Sequence, residues 1–112
     1  MKFNEFQDLA METRLPSANN FYTLTGLVGE VGEVYSLIAK GTRDGFETED
    51  DEIEFERKLK KEIGDILWFI AALCEDMEIT MDECAEIVIK KLQARKKAGT
   101  LQGSGDERWS RI

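Results

Sequence analysis

The 112-residue chain has no histidine, one proline and two cysteines, and it is short of positive charge: 15 Lys and Arg face 23 Asp and Glu, a formal net charge of −8. Each shortage excludes something. Without histidine there is no Glu-x-x-His pair, so a carboxylate-bridged di-iron bundle lacks its ligands. A single proline beside 34% charged residues suits a helical domain rather than a sandwich or barrel. Cys74 and Cys84 lie amid apolar residues without CxxC spacing, which reads as buried thiols of a cytoplasmic protein. The acidic balance argues against binding duplex nucleic acid, which needs a basic surface to displace counterions. It leaves nucleotides open, because divalent cations can stand between carboxylates and a polyphosphate. No long apolar run exists either. The longest, residues 66–74, is about half of the roughly 18 residues a membrane span requires. The opening Met1-Lys2-Phe3-Asn4-Glu5 leads straight into polar, amphipathic sequence and does not resemble a signal peptide.

What is present is helical periodicity. Apolar residues at three- and four-residue intervals, with capping signals, predict four segments. The first covers about residues 4–13, with Asn4 as N-cap and Phe3, Phe6, Leu9 and Ala10 on one face. The second covers about 20–40, with Leu24, Leu27, Val28, Val31, Val34, Tyr35 and Ile38 as its core stripe and Gly41 as its stop. A polar connection over 42–48 leads into a third helix ending near Met77. Its expected core positions are Leu59, Ile63, Ile66, Leu67, Ile70, Leu73, Cys74 and Met77. Thr80 opens the fourth with a capping box to Glu83, and Gly99 closes it after about Lys97. The expectation is an all-α antiparallel bundle in one domain over 1–112, with its helical core over 4–98 and a glycine-rich tail over 99–112. A domain this small buries only about 60–70% of its unfolded surface, so self-assembly is a natural way to add core.

Two pairs of acids stand out. Glu30 and Glu33 on the second helix, and Glu62 and Asp65 on the third, are each three apart, which places two carboxylates side by side on a helix surface. Such pairs repel unless a cation lies between them, and their hard oxygens suit Mg²⁺ or Mn²⁺. Antiparallel packing would let the pairs face each other across a cleft. Spacing alone fits solvated glutamates equally well, but the surroundings add weight. Gly26, Gly29 and Gly32 fall inside the second helix, each about 1 kcal/mol worse than alanine there, and Gly64 separates Glu62 from Asp65. Glycines so placed suggest close approach to the backbone. Asp65 also borders the all-apolar stretch 66–74, where an unpaired carboxylate is unfavourable and a metal relieves it.

Lys91 and Arg95 share the apolar face of the fourth helix with Cys84, Ile87 and Val88. Either their stems cover core while the charged heads reach water, or the heads enter the acidic cleft and bind phosphate oxygens. Trp68 reads first as core or subunit interface and secondly as a stacking surface for a base; Phe6, Phe21 and Tyr22 are further aromatic candidates. The glycine-rich tail could wrap an anion with backbone N–H groups but lacks a P-loop pattern. A non-enzymatic acidic interaction module is the alternative reading, and it would show no metal dependence.

These residues resemble the MazG-like all-α nucleotide pyrophosphohydrolases, whose signature is ExxE, a spacer, then ExxD. Here it reads Glu30-Val31-Gly32-Glu33 and Glu62-Ile63-Gly64-Asp65, with 28 residues between, at the long end of the family range. The flanking Gly-Leu-Val-Gly-Glu-Val-Gly-Glu-Val and Glu-Ile-Gly-Asp-Ile-Leu-Trp are similar to the family's wording. Lys91 and Arg95 match its downstream KxxxR. The closing stretch from Gly99 through Ser104 to Arg108 looks like the tail of a short subgroup. The resemblance implies cleavage of nucleoside triphosphates to monophosphate and pyrophosphate at a Mg²⁺ site built from Glu30, Glu33, Glu62 and Asp65, with Mn²⁺ as a possible substitute. One of these carboxylates would take the proton of an attacking water. Lys91, Arg95, Ser104, Arg108 and Trp68 would bind the substrate, in a homodimer or homotetramer.

Overall fold

In the computed structural model, which describes residues 1–100, four helices follow one another: α1 (Phe3–Glu12), α2 (Asn20–Asp44), α3 (Glu49–Asp76) and α4 (Met81–Ala98). No strand occurs among the described residues, and the fold is the expected all-α bundle. Three helix starts are fixed by side-chain caps. Asn19 Oδ1 accepts from the Tyr22 N–H at 3.0 Å to open α2. Thr48 Oγ1 accepts from the Asp51 N–H at 3.1 Å, while the Asp51 carboxylate accepts from the Thr48 N–H at 3.3 Å. Thr80 and Glu83 make the same reciprocal pair for α4, at 3.2 and 3.1 Å. Each box satisfies two N–H groups that a helix start otherwise leaves unpaired.

Two expected boundaries move. Asn4 does not cap α1, whose N-cap Lys2 makes no side-chain cap bond. Its Oδ1 instead accepts from the Asp82 N–H at 3.1 Å, capping a helix far away in sequence. Gly41 does not stop α2. The helix runs on to Asp44 and ends at Gly45, whose φ of 66° is left-handed. Gly41 is needed for packing: a Cβ there would lie 2.9 Å from the Phe55 ring. The connection shortens accordingly to residues 45–48, with the Phe46 ring tilted against Phe55 at a centroid separation of 5.1 Å.

α2 and α3 therefore form an antiparallel hairpin, and the α2–α3 contact is the most extensive between helices. α1 lies across the C-terminal half of α3, and α4 rests on α1 and α3. The small core is made by Ala10, Ala71, Cys74 and Met81, with Phe6, Leu67, Trp68 and Ile70 packed against it. Buried Gln7 ties this end together. Its amide donates to Glu75 Oε2 and the Ile79 carbonyl at 3.2 and 3.1 Å and accepts from the Met81 N–H at 2.8 Å. Arg14, in the α1–α2 connection, makes a two-pronged ion pair with Asp76 at 2.8 and 2.9 Å.

The expected core stripe of α2 is only partly inside. Leu27 and Val34 are half-buried, but Leu24, Val28, Val31, Tyr35 and Ile38 are exposed. They lie on a second face of α2, away from α3. Ile63 on α3 and Met77 just past its end are likewise exposed. Cys74 is buried but Cys84 is not; Cys84 lines an apolar groove between α3 and α4 with Leu67, Ile70, Met81 and Val88.

Candidate metal centre

The register of the α2–α3 hairpin decides what the acidic pairs do. A Cβ on Gly26 would fall onto the Phe69 ring, and one on Gly41 would press on Phe55. Between these two contacts, Glu30 is brought opposite Asp65 and Glu62. One carboxylate oxygen from each of Glu30, Glu62 and Asp65 lies within 4.8 Å of the others, and all three residues are half-buried. This set could hold a metal ion. Glu33, one turn further along α2, is exposed and lines an adjoining cleft of about 120 Å³ together with Glu62.

The electrostatics of the trio favour a bound cation. Glu30 Oε2 is shut off from solvent and accepts no hydrogen bond. Burial first, then a hydrogen bond shared with Glu62 and the charges of Asp65, Glu62 and Glu33, push the Glu30 carboxyl up to about 7. A buried acceptor without a donor, surrounded by like charges, is unfavourable as it stands. The donors fit a hard divalent cation, since all are carboxylate oxygens.

The glycines around the acids do different things. Gly26 admits the Phe69 ring, but a Cβ on Gly29, Gly32 or Gly64 would meet nothing within 4 Å. Close approach within the chain thus explains one of the four. Of the basic pair, Lys91 is half-buried and Arg95 is 2% exposed, both on α4, while Ile87 and Val88 beside them are exposed. Trp68 Nε1 donates to Thr13 Oγ1 at 2.8 Å and its ring meets Phe69 edge-on at 5.1 Å. With Tyr22 it lines a cleft of about 230 Å³ at one end of the hairpin. Phe6 packs on the core and Phe21 is exposed. Ser104 and Arg108 lie outside the described residues. Two residues not anticipated from the sequence line the cleft beside Glu33 and Glu62: Lys40 and Lys58. Their signal is spacing, since Lys40 lies seven residues after Glu33 and Lys58 four before Glu62, each on the same helix face.

Residues 20–100, from the first residue of α2 to the end of the described chain, match the MazG nucleotide pyrophosphohydrolase domain. The chain belongs to the MazG nucleotide pyrophosphohydrolase family. The match covers both acidic pairs and the basic pair on α4. Among curated proteins, the chain is 36% identical over 89 residues to the Gene 37 protein of Mycobacterium phage L5, covering 78% of this chain and 75% of that one. No solved structure matches. No helix among the described residues is long and apolar enough to cross a membrane.

Proposed function

We propose that this MazG family member is a Mg²⁺-dependent nucleoside triphosphate pyrophosphohydrolase, cleaving the α–β phosphoanhydride to give a nucleoside monophosphate and pyrophosphate. The observation that carries the reading is the Glu30–Glu62–Asp65 trio, with its buried, unsatisfied Glu30 oxygen, inside the family match. Mg²⁺ held by these carboxylates would offset polyphosphate charge and lower the pKa of a water bound to it. The chain's own residues do the remainder. The trio is fixed by hairpin packing at Gly26–Phe69 and Gly41–Phe55, so little reorganisation is needed when charge develops. In the reaction a water oxygen bonds to the α-phosphorus as the bond to the β-phosphate oxygen breaks, and the electron pair leaves with pyrophosphate. Glu33 lies outside the trio and lines the adjoining cleft; as the carboxylate of the four not gathered there, it would take the water's proton. Lys91 and Arg95 would neutralise the phosphates, as the family pattern implies, with Ser104 and Arg108 as further contacts. Homo-oligomerisation belongs to the same reading. The outward face of α2 repeats Leu24, Val28, Val31, Tyr35 and Ile38 at alternating four- and three-residue steps, the spacing of a helix–helix seam.

The test is release of pyrophosphate from each common ribo- and deoxyribonucleoside triphosphate in Mg²⁺, Mn²⁺ and EDTA. Metal-dependent release, cut by at least about 100-fold in Glu30→Gln and Asp65→Asn, is the expected outcome. A folded protein that binds no metal and hydrolyses no nucleotide would contradict the reading and favour a binding module.

A further inference from the structure

The groove between α2 and α3 is not symmetric about its carboxylates. On α2 one face carries, in order, Tyr22, Gly26, Glu30, Glu33, Leu37 and Lys40; these positions recur at steps of four and three residues and so lie in a row along the helix. The facing row on α3 reads Phe69, Asp65, Glu62 and Lys58 in the opposite chain direction. Contacts pin the two rows together: Tyr22 meets Phe69 at a ring separation of 5.8 Å, and the Gly26 position accepts the same ring. The acids follow, and then Lys40 and Lys58 close the cleft that begins at Glu33 and Glu62. From one end to the other the groove is aromatic, acidic and basic.

The acids nearest the two lysines feel their charge but are held first by arginines. Asp44 and Glu54, the carboxylates one turn from them on their own helices, are each gripped by an arginine fork. Arg43 holds Asp44 at 2.7 and 2.8 Å, and Arg57 holds Glu54 at 2.9 and 2.6 Å. The ammonium groups stand exposed at the groove's far end, about two helical turns from Glu33 for Lys40 and about one from Glu62 for Lys58. At the opposite end, Tyr22 and Trp68 line a cleft of about 230 Å³.

We infer that this polarity fixes the direction of the bound triphosphate: the leaving pyrophosphate lies on Lys40 and Lys58, and the nucleoside lies toward Tyr22 and Trp68. The inference rests on the pyrophosphohydrolase reading and adds to it two phosphate-binding residues and an orientation. Each lysine offers a mobile point charge suited to terminal phosphate oxygens, which carry the highest charge density of the substrate. An aromatic face suits a base of any identity.

The experiment measures binding of the two products separately, by calorimetry in Mg²⁺, to the full chain. Inorganic pyrophosphate and a nucleoside monophosphate are the probes, against wild type, Lys40→Ala, Lys58→Ala, the two Lys→Arg variants and Tyr22→Ala. Lys40→Ala and Lys58→Ala should each weaken pyrophosphate roughly tenfold, as expected for loss of a charge-assisted contact, and leave the monophosphate within about twofold. Lys→Arg should restore most of the pyrophosphate affinity, whereas Tyr22→Ala should weaken the monophosphate alone. Both lysines are surface residues, and circular dichroism checks that the variants remain helical. If wild type binds both products but the lysine variants lose the monophosphate, or lose neither product, the orientation is wrong and the hydrolase reading survives. If wild type in Mg²⁺ binds neither product, the hydrolase reading fails and the orientation falls with it.

Discussion

Glu30 is the most perturbed carboxylate of the acidic trio. Its carboxyl is raised from 4.5 to about 7, first by burial and then by Glu62, Asp65 and Glu33. Between those two values the folded, metal-free chain keeps a proton that the unfolded chain has released. The stabilising contribution of that bound proton is present at low pH and is lost as pH rises toward 7. Glu30→Gln, which cannot ionise, should therefore gain stability relative to metal-free wild type as pH climbs from 4.5 to 7. Thermal melts of the two proteins in EDTA across this interval measure the gap. Saturating Mg²⁺ should reverse their order, because binding stabilises the chain that holds the ion. A pH-independent gap in EDTA would mean that neither burial nor the neighbouring acids raise the Glu30 carboxyl. The acids themselves were legible in the sequence as two three-residue spacings. Their assembly as a trio with Glu33 to one side was not, because it depends on the hairpin register set by Phe69 and Phe55.

At the scale of the element, α2 carries most of the information. Its start, its amphipathic character and its acidic pair follow from periodicity and capping, but its length does not. Gly41 looks like a terminator locally, yet Phe55 packs into the space that its missing side chain leaves, and the helix continues to Asp44. The same accounting sorts the interior glycines. Gly26→Ala should destabilise by about 1–3 kcal/mol, since overpacking against Phe69 outweighs the helix-propensity gain. Gly29→Ala and Gly32→Ala meet nothing within 4 Å in the chain and should each add about 0.5–1 kcal/mol. Urea denaturation of the three variants separates these cases. A loss at Gly29 or Gly32 instead would show that a ligand or a second copy approaches that face. Asn4 teaches a similar lesson in reverse: its chemistry as a cap was readable, but tertiary packing gave the cap to α4 rather than α1.

The whole molecule joins one packed corner to an uncovered apolar helix face. The α1–α3–α4 corner has buried contacts around Gln7 and Ala10, while the outward face of α2 leaves Val28 74% and Tyr35 75% exposed. Sequence periodicity marked these α2 residues as core, and the reason they are outside is that one chain supplies only one partner for a helix with two apolar faces. Contiguous apolar surface of this kind marks association sites. Size-exclusion chromatography with light scattering should therefore give a dimer or larger, and Val31→Glu with Tyr35→Glu should shift it toward monomer. A wild-type monomer at high micromolar concentration would contradict this. The four helices and the family pattern were legible without the structure, whereas the division between inner and outer faces was not, because amphipathic spacing does not say which chain covers a stripe.

If the Glu30–Glu62–Asp65 site directs cleavage between the α- and β-phosphates, the products identify the bond that breaks. A nucleoside triphosphate incubated with the protein and Mg²⁺ would be followed by phosphorus NMR, with Asp65→Asn alongside. Wild type should give monophosphate and pyrophosphate in equal amounts, and the variant should leave the substrate unchanged. Diphosphate with inorganic phosphate, or turnover that survives in Asp65→Asn, would contradict it.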